Sequence, residues 1–361
     1  MLSGGGTGGH IYPAIAIAEA IEKQIPNAEF LFVGAQDRME MQVVPKNGYR
    51  IEGLWISGFQ RKNIWKNTLL PFKIISSLYK CYFILKKFNP DIVIGTGGYA
   101  SAALLKTAQF LKIPTLIQEQ NSYAGITNKL LAPKANAICV AYERMEQFFP
   151  KEKIIFTGNP IRKQILDHLQ KHTQNPAQTT TPENKELNLL VLGGSLGAKA
   201  INEALATYCK NTYFNTSKLS IVWQCGKLYY EEYKNYSNAK VKVVSYIEDM
   251  GKAFKNADII LSRAGAGTLS ELAIVGKPVV FVPSPYVSED HQTKNAEYFT
   301  LRKAALMLPE QKLKEDLVTT LNLLIGNKEL RESLSLEIKK MAKPYATEKI
   351  VDEIKKLLTK K

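Results

Sequence analysis

Four times along this chain an apolar, strand-like run ends in a cluster of small residues and a helical pattern follows. The clusters are Gly4-Gly5-Gly6-Thr7-Gly8-Gly9-His10, Gly95-Thr96-Gly97-Gly98-Tyr99, Gly193-Gly194-Ser195-Leu196-Gly197-Ala198 and Arg263-Ala264-Gly265-Ala266-Gly267-Thr268-Leu269-Ser270-Glu271. Glycine lets backbone N–H groups approach a ligand closely, and the helix that follows aims the positive end of its dipole at the same point. Two such turns in each half predict two nucleotide-binding-like domains facing each other, with anionic ligands between them.

The runs themselves support that architecture. Strands are expected at 29–33, 91–94, 114–118, 137–141 and 154–157, then at 188–192, 220–224, 240–245, 258–262, 278–282 and 305–308. Short, continuously apolar runs separated by helices mark parallel strands buried on both faces, so the fold class is α/β and doubly wound. At 361 residues the chain suits two domains of about 150 residues each. The polar, proline-punctuated stretch 170–186 reads as a surface linker, with the hinge itself near Gly158-Asn159-Pro160. After the breaker Pro344, residues 347–361 form an amphipathic helix with Ile350, Val351, Ile354 and Leu358 on one side.

Charge narrows the partners. A formal net charge of +15 favours something anionic: phosphorylated substrates, a membrane surface or nucleic acid. The last is disfavoured because no recognised nucleic-acid module accompanies the charge. Cys81, Cys139, Cys209 and Cys225 are scattered, which fits buried thiols in a reducing compartment rather than a zinc site or disulfides. No run of 18 apolar residues occurs, and glycines beginning at position 4 do not suit a signal peptide. The stretch 53–90 contains no Asp or Glu. It interleaves Arg61, Lys62, Lys66, Lys73, Lys80, Lys86 and Lys87 with Trp65, Phe72, Ile75, Leu78 and Tyr82, a composition suited to the surface of an anionic bilayer.

Individual positions carry the chemistry. Gly4-x-Gly6-x-x-Gly9 has the form of a dinucleotide fingerprint, yet only Met1-Leu2-Ser3 precedes it and Asp37 lies too far on for the ribose acid. No Gly-Lys-Ser/Thr follows, so it is not a P-loop. His10 at the helix start suits a base or a phosphate donor. Ser195 suits a phosphate oxygen, Glu271 the two hydroxyls of a ribose, and Gln292 with Asn295 on one helical face the hydroxyls of a sugar. Ligand spacing for a metal is absent.

In this order, Gly5–His10 with Tyr12-Pro13, Gly97–Ser101, Glu119-Gln120-Asn121, Gly158–Arg162, Gly193–Ala198, Arg263–Glu271 and His291–Ala296 resemble the MurG family of peptidoglycan N-acetylglucosaminyltransferases, which are GT-B enzymes. The resemblance spans nearly the whole chain. It implies two Rossmann-like domains across a cleft: residues 1–160 for acceptor and membrane, 161–343 for the donor, and 344–361 returning to the first domain. It implies transfer of GlcNAc from UDP-GlcNAc to the C4 hydroxyl of MurNAc in undecaprenyl-pyrophosphoryl-MurNAc-pentapeptide, with inversion and without a cofactor. The enzyme would sit peripherally on the cytoplasmic face of the bacterial inner membrane.

Carried over by motif, the donor contacts are Thr7, Gly8, Gly9, Asn121, Arg162, Ser195, Ile247, Ala266, Gly267, Thr268, Leu269, Ser270, Glu271 and Gln292. Ile247 would support the uracil, Glu271 the ribose and Gln292 the sugar. Gly6, Gly97, Gly98 and Tyr99 would face the acceptor diphosphate. His10 is the first candidate for the base and Glu119 the second. Leu196 stands where the family often has Gln, and Gly267 where a larger residue is common. The rival readings are a GT-B enzyme with another lipid acceptor, a nicotinamide or flavin oxidoreductase resting on the first glycine loop, and a non-catalytic peripheral membrane protein resting on 53–90.

Overall fold

Every strand register is parallel, as the apolar runs require. In a computed structural model, which describes residues 1–58, 67–161, 166, 186–194 and 196–359, the chain divides into two units, 1–162 with 343–361 and 163–342. The first holds β1 (Leu2–Gly4), β2 (Phe32–Ala35), β3 (Ile51–Leu54), β4 (Val93–Gly97), β5 (Thr115–Glu119), β6 (Ala137–Val140) and β7 (Ile154–Phe156). Its sheet order is β3-β2-β1-β4-β5-β6-β7. The second holds β8 (Leu187–Leu192), β9 (Leu219–Gln224), β10 (Val241–Val244), β11 (Ile259–Ser262), β12 (Val279–Phe281) and β13 (Leu306–Met307), ordered β10-β9-β8-β11-β12-β13. Both orders are doubly wound, reversing direction beside the first strand of the unit. Open sheets of this kind bind ligands outside the strand C-termini at that reversal.

The short N-terminal run is the central strand of its sheet. Leu2 pairs with Phe32 on one side and Ile94 on the other, and the register slips between Ser3 and Gly4 so that Gly4 meets Gly97. β3 carries no sequence expectation. Its four residues Ile-Glu-Gly-Leu lie at the sheet edge with Glu52 exposed, so neither a long apolar run nor strict alternation betrays it. β2 falls later than the expected 29–33, because Gly34 and Ala35 extend its ladder against Gly53 and Leu54. Most of the linker at 170–186 lies outside the described residues.

Five helices flank the first sheet where they matter for the site: α1 (Gly8–Gln24), α2 (Glu40–Lys46), α3 (Leu70–Phe88), α4 (Tyr99–Phe110) and α5 (Ile126–Leu131). In the second unit the relevant helices are α6 (Lys199–Cys209), α7 (Ala266–Val275) and α8 (His291–Thr300), and the chain ends in α9 (Ala346–Thr359). Ile350, Val351 and Ile354 of α9 enter the core built from Leu2, Ile11, Ile15, Phe32, Ile94 and Leu116. Each such side chain contributes about 1.5–3 kcal/mol of burial, enough to fix the last helix to the first unit. In the second unit the fully buried Trp223 donates Nε1–H to Asn202 Oδ1 at 2.9 Å, so the indole brings no unpaired donor into the core.

Amphipathicity places α3 at the surface. Ser77, Cys81 and Leu85 face inward, while Phe72, Ile75, Tyr79 and Phe83 are 65, 65, 68 and 50% exposed. Positive φ at Asn89, followed by Pro90, ends the helix. Among the described residues no helix is long and apolar enough to cross a membrane.

Candidate active site

Both glycine loops of the first unit lie at its reversal point, one after β1 and the other after β4. They are laced together: Gly5 N–H donates to Gly97 O at 3.3 Å, and Thr96 Oγ1–H donates to His10 O at 2.7 Å. Gly97 has φ +112, and a Cβ there would come within 2.8 Å of the His10 ring. Glycine at 97 is therefore required both by the backbone and by the imidazole lying over it. Gly8 and Gly9 open α1, and His10 N–H turns back onto Thr7 O at 3.1 Å, so the N–H groups that a helix start leaves to a ligand are those of the two glycines. Thr7, which precedes them, and Gly6 are exposed. Tyr99, half exposed at the start of α4, lies against Gly58.

Beneath the first loop sits a carboxylate that carries no sequence expectation. Glu40 is fully buried at the first residue of α2, and its two oxygens accept N–H bonds from Gly6 and Ala35, both at 3.0 Å. The Gly6 N–H is thus spent inside the protein. A ligand at this loop is left the N–H groups of the α1 terminus.

His10 is half-buried, and its Nδ1 lies 2.9 Å from Gln120 Oε1. Glu119, one residue earlier, is 1% exposed. Its carboxylate accepts from Asn121 N and Nδ2 at 3.0 and 3.1 Å, Gly125 N at 3.0 Å and Asn128 Nδ2 at 2.8 Å. Four donors use the whole accepting capacity of a carboxylate. Glu119 therefore clamps the turn from β5 into α5, and that turn carries Asn121.

In the second unit the other two loops take the corresponding places, after β8 and β11. Gly197, with φ +90, packs its Cα against the backbone carbonyl of Cys225 and leaves no room for a side chain. Gln224, 3% exposed at the end of β9, ties two of the expected contacts together. Its Nε2 donates to Gly194 O at 3.1 Å and its Oε1 accepts from Ile247 N–H at 3.0 Å. Ile247 is half-buried, and its backbone is held by the same amide as the β8 loop.

After β11, Gly265 caps α7. Gly267, Thr268 and Ser270 are partly exposed, whereas Ala266 and Glu271 are buried. Leu269 is 0% exposed, so its side chain belongs to the core and only its backbone remains as a contact. Gln292, in the first turn of α8, accepts at Oε1 from Ser284 N–H at 2.8 Å, which orients its amide NH2 as the group left to a ligand. Asn295 is fully buried one turn later. Arg263 pairs with Glu310 and donates to Val282 O and Pro283 O at 3.2 and 3.3 Å, anchoring the segment that leads to Ser284. Trp65, Arg162 and Ser195 lie outside the described residues.

Comparison with known proteins places this arrangement. Residues 1–140 match the glycosyltransferase family 28 N-terminal domain and residues 188–354 the glycosyltransferase family 28 C-terminal domain. The chain belongs to glycosyltransferase family 28. A Flavobacterium psychrophilum protein named UDP-N-acetylglucosamine--N-acetylmuramyl-(pentapeptide) pyrophosphoryl-undecaprenol N-acetylglucosamine transferase is 52% identical over 359 residues, covering 99% of this chain and 97% of that protein. The crystal structure of Acinetobacter baumannii MurG matches with a TM-score of 0.79 at 31% identity, covering 99% of this chain and 98% of that one. CalG4, the calicheamicin glycosyltransferase, shares the fold at 14% identity and a TM-score of 0.72, covering 99% and 98%. The GT-B fold and the MurG resemblance read from the motifs are both borne out over the full length.

For this family 28 member, sequence reasoning missed Glu40, Gln120 as a partner of His10, Gln224, and the Arg263–Glu310 pair. The local signal for two of them was a polar residue at the end of an apolar strand, Gln224 closing β9 and Gln120 following β5.

Proposed function

We propose that this chain transfers GlcNAc from UDP-GlcNAc to the C4 hydroxyl of MurNAc in undecaprenyl-pyrophosphoryl-MurNAc-pentapeptide, forming a β1→4 linkage. Full-length identity of about one residue in two to a transferase named for that reaction carries the reading. The glycine loops at both reversal points supply what its two diphosphate substrates need.

In this reading the second unit holds the donor. Ile247 supports the uracil, Glu271 accepts from the ribose hydroxyls, and Gln292 gives its NH2 to the sugar. The α7 terminus, with Ser195 and Arg162, receives the departing diphosphate. The first unit holds the acceptor diphosphate at Gly97, Gly98, Tyr99 and the α1 terminus. The C4 oxygen attacks the anomeric carbon, the anomeric C–O bond to phosphate breaks, and UDP leaves with the electron pair. Anion-binding backbone groups aimed at that leaving group stabilise the charge as it develops. The hydroxyl proton passes to His10 Nε2. Glu119 is not assigned that proton, because its carboxylate already accepts four hydrogen bonds.

The exposed stripe of α3, with Lys86 and Lys87 beside Phe72, Ile75 and Tyr82, brings the enzyme to an anionic bilayer where its lipid-linked acceptor resides. Lys73 is half-buried and its ammonium donates to Ser57 Oγ at 3.1 Å. Leu78 is half-buried and contributes less. Incubation with UDP-GlcNAc and a short-chain acceptor analogue in EDTA tests the assignment. The expected product is the β1→4 disaccharide with one UDP per transfer; UDP binding without transfer would overturn the acceptor. His10→Ala is expected to lower turnover by about 10²–10⁴-fold, and near-normal turnover would remove His10 as the base.

A further inference from the structure

Three buried amides, Gln118, Gln120 and Asn159, stand behind His10 at 0, 2 and 2% exposure. Gln120 Nε2 donates to Thr96 O at 2.9 Å and to Gln118 O at 2.8 Å, and also meets Gln118 Oε1. All three are acceptors only, so the NH2 end of Gln120 is fixed toward them and its Oε1 is fixed toward His10. The backbone holds the same residue: Gln120 O accepts from Asn159 Nδ2 at 3.0 Å, and Asn159 Oδ1 accepts from Gln118 Nε2 at 3.0 Å. The amide has no second orientation that satisfies these partners.

An amide oxygen only accepts. At 2.9 Å from Gln120 Oε1, His10 Nδ1 must carry a hydrogen. A neutral imidazole has one N–H, so Nε2 is left with its lone pair. Among the described residues nothing hydrogen-bonds Nε2. We propose that Gln120 is a positioning residue that locks His10 in the Nδ1–H tautomer and so presents Nε2 as the proton acceptor for a sugar hydroxyl. This rests on the base reading of His10. A neutral amide suits the task physically. It fixes tautomer and ring direction without placing a second buried charge beside the imidazole, which would need its own compensation.

The experiment is 15N NMR of histidine-labelled protein at a pH where the imidazole is neutral. The four histidines of the chain are resolved by comparison with the His10→Gln spectrum. The expected His10 signal has Nδ1 protonated and Nε2 unprotonated. Gln120→Met, similar in volume but without the amide, is expected to give a mixture of tautomers. Its kcat should fall about 10–100-fold, by analogy with the cost of removing the partner that orients a metal-binding histidine, with little change in KM for UDP-GlcNAc. A wild-type spectrum showing Nε2–H overturns the proposal, as does an unchanged tautomer in Gln120→Met. Should that variant fail to fold, the wild-type spectrum decides alone. The base reading fails separately, by retained turnover in His10→Ala, and in that case the tautomer spectrum still reports on Gln120.

Discussion

Removing the Glu40 carboxylate should loosen the first glycine loop before it unfolds anything else. In Glu40→Ala, two N–H groups lose a charged acceptor at 3.0 Å, but their losses differ. Ala35 is 5% exposed, so its N–H is left unsatisfied in the interior at about 1–3 kcal/mol. Gly6 is exposed, so water replaces the carboxylate there and the loss is about 0.5–1.5 kcal/mol. Together the first unit should lose about 1.5–4.5 kcal/mol, with a small further term for the vacated volume. Glu40→Gln keeps one acceptor and should lose about half as much.

Native-state hydrogen exchange reads both amides directly. At roughly 1.4 kcal/mol per tenfold, protection of the Ala35 amide should fall on the order of 10- to 100-fold, and that of Gly6 by less. Core amides of the second unit should not change. Transfer should slow as well, because the loop that carries Gly8, Gly9 and His10 no longer has a fixed floor. Equal protection at Ala35 in Glu40→Ala and wild type, measured where exchange reports local opening, would refute this account of the loop.

Gln224→Leu should separate the β8 loop from Ile247, raising the dissociation constant of UDP about tenfold by calorimetry, consistent with one or two lost neutral hydrogen bonds; unchanged affinity would show that the loop holds itself. Phe72→Asp with Ile75→Asp should abolish co-sedimentation with anionic vesicles while leaving transfer to a water-soluble acceptor analogue intact, and wild-type binding should weaken with salt. Burial pushes the thiols of Cys81 and Cys209 up to about 12 and about 11 from an ordinary 9.0, and Cys139 higher still. A folded state that holds these protons more tightly than the unfolded chain keeps its full stability below pH 9 and loses it as pH rises toward 11–12. The melting temperature should therefore drop across that window, and drop less in Cys81→Ala relative to its own value at neutral pH.

What the sequence disclosed and what it hid divide along a physical line. A glycine that must adopt positive φ or lie under another group, as at Gly97 and Gly197, leaves a local mark that spacing preserves, so the four loops and their strand-to-helix context were legible. Apolar runs gave most of the strands for the same reason. The edge strand β3 escaped, since a half-exposed strand of four residues has no pattern to show, and the central β1 has no apolar run of its own, only Met1-Leu2-Ser3 before the first glycine loop. The polar residues that hold the loops are different. Glu40 acts on Gly6 across 34 positions, Gln120 on His10 across 110, and Gln224 on Gly194 across 30. No local periodicity encodes such a pairing, because it exists only after the sheet has brought strand ends together. Glu119 shows the converse error. Within the Glu119-Gln120-Asn121 motif a carboxylate reads as a second candidate base, yet once the β5 turn forms, its four donors make it a clamp. The glycines let the loops at the strand ends take their shape, and the buried amides and carboxylates, silent in the sequence, hold those loops in place.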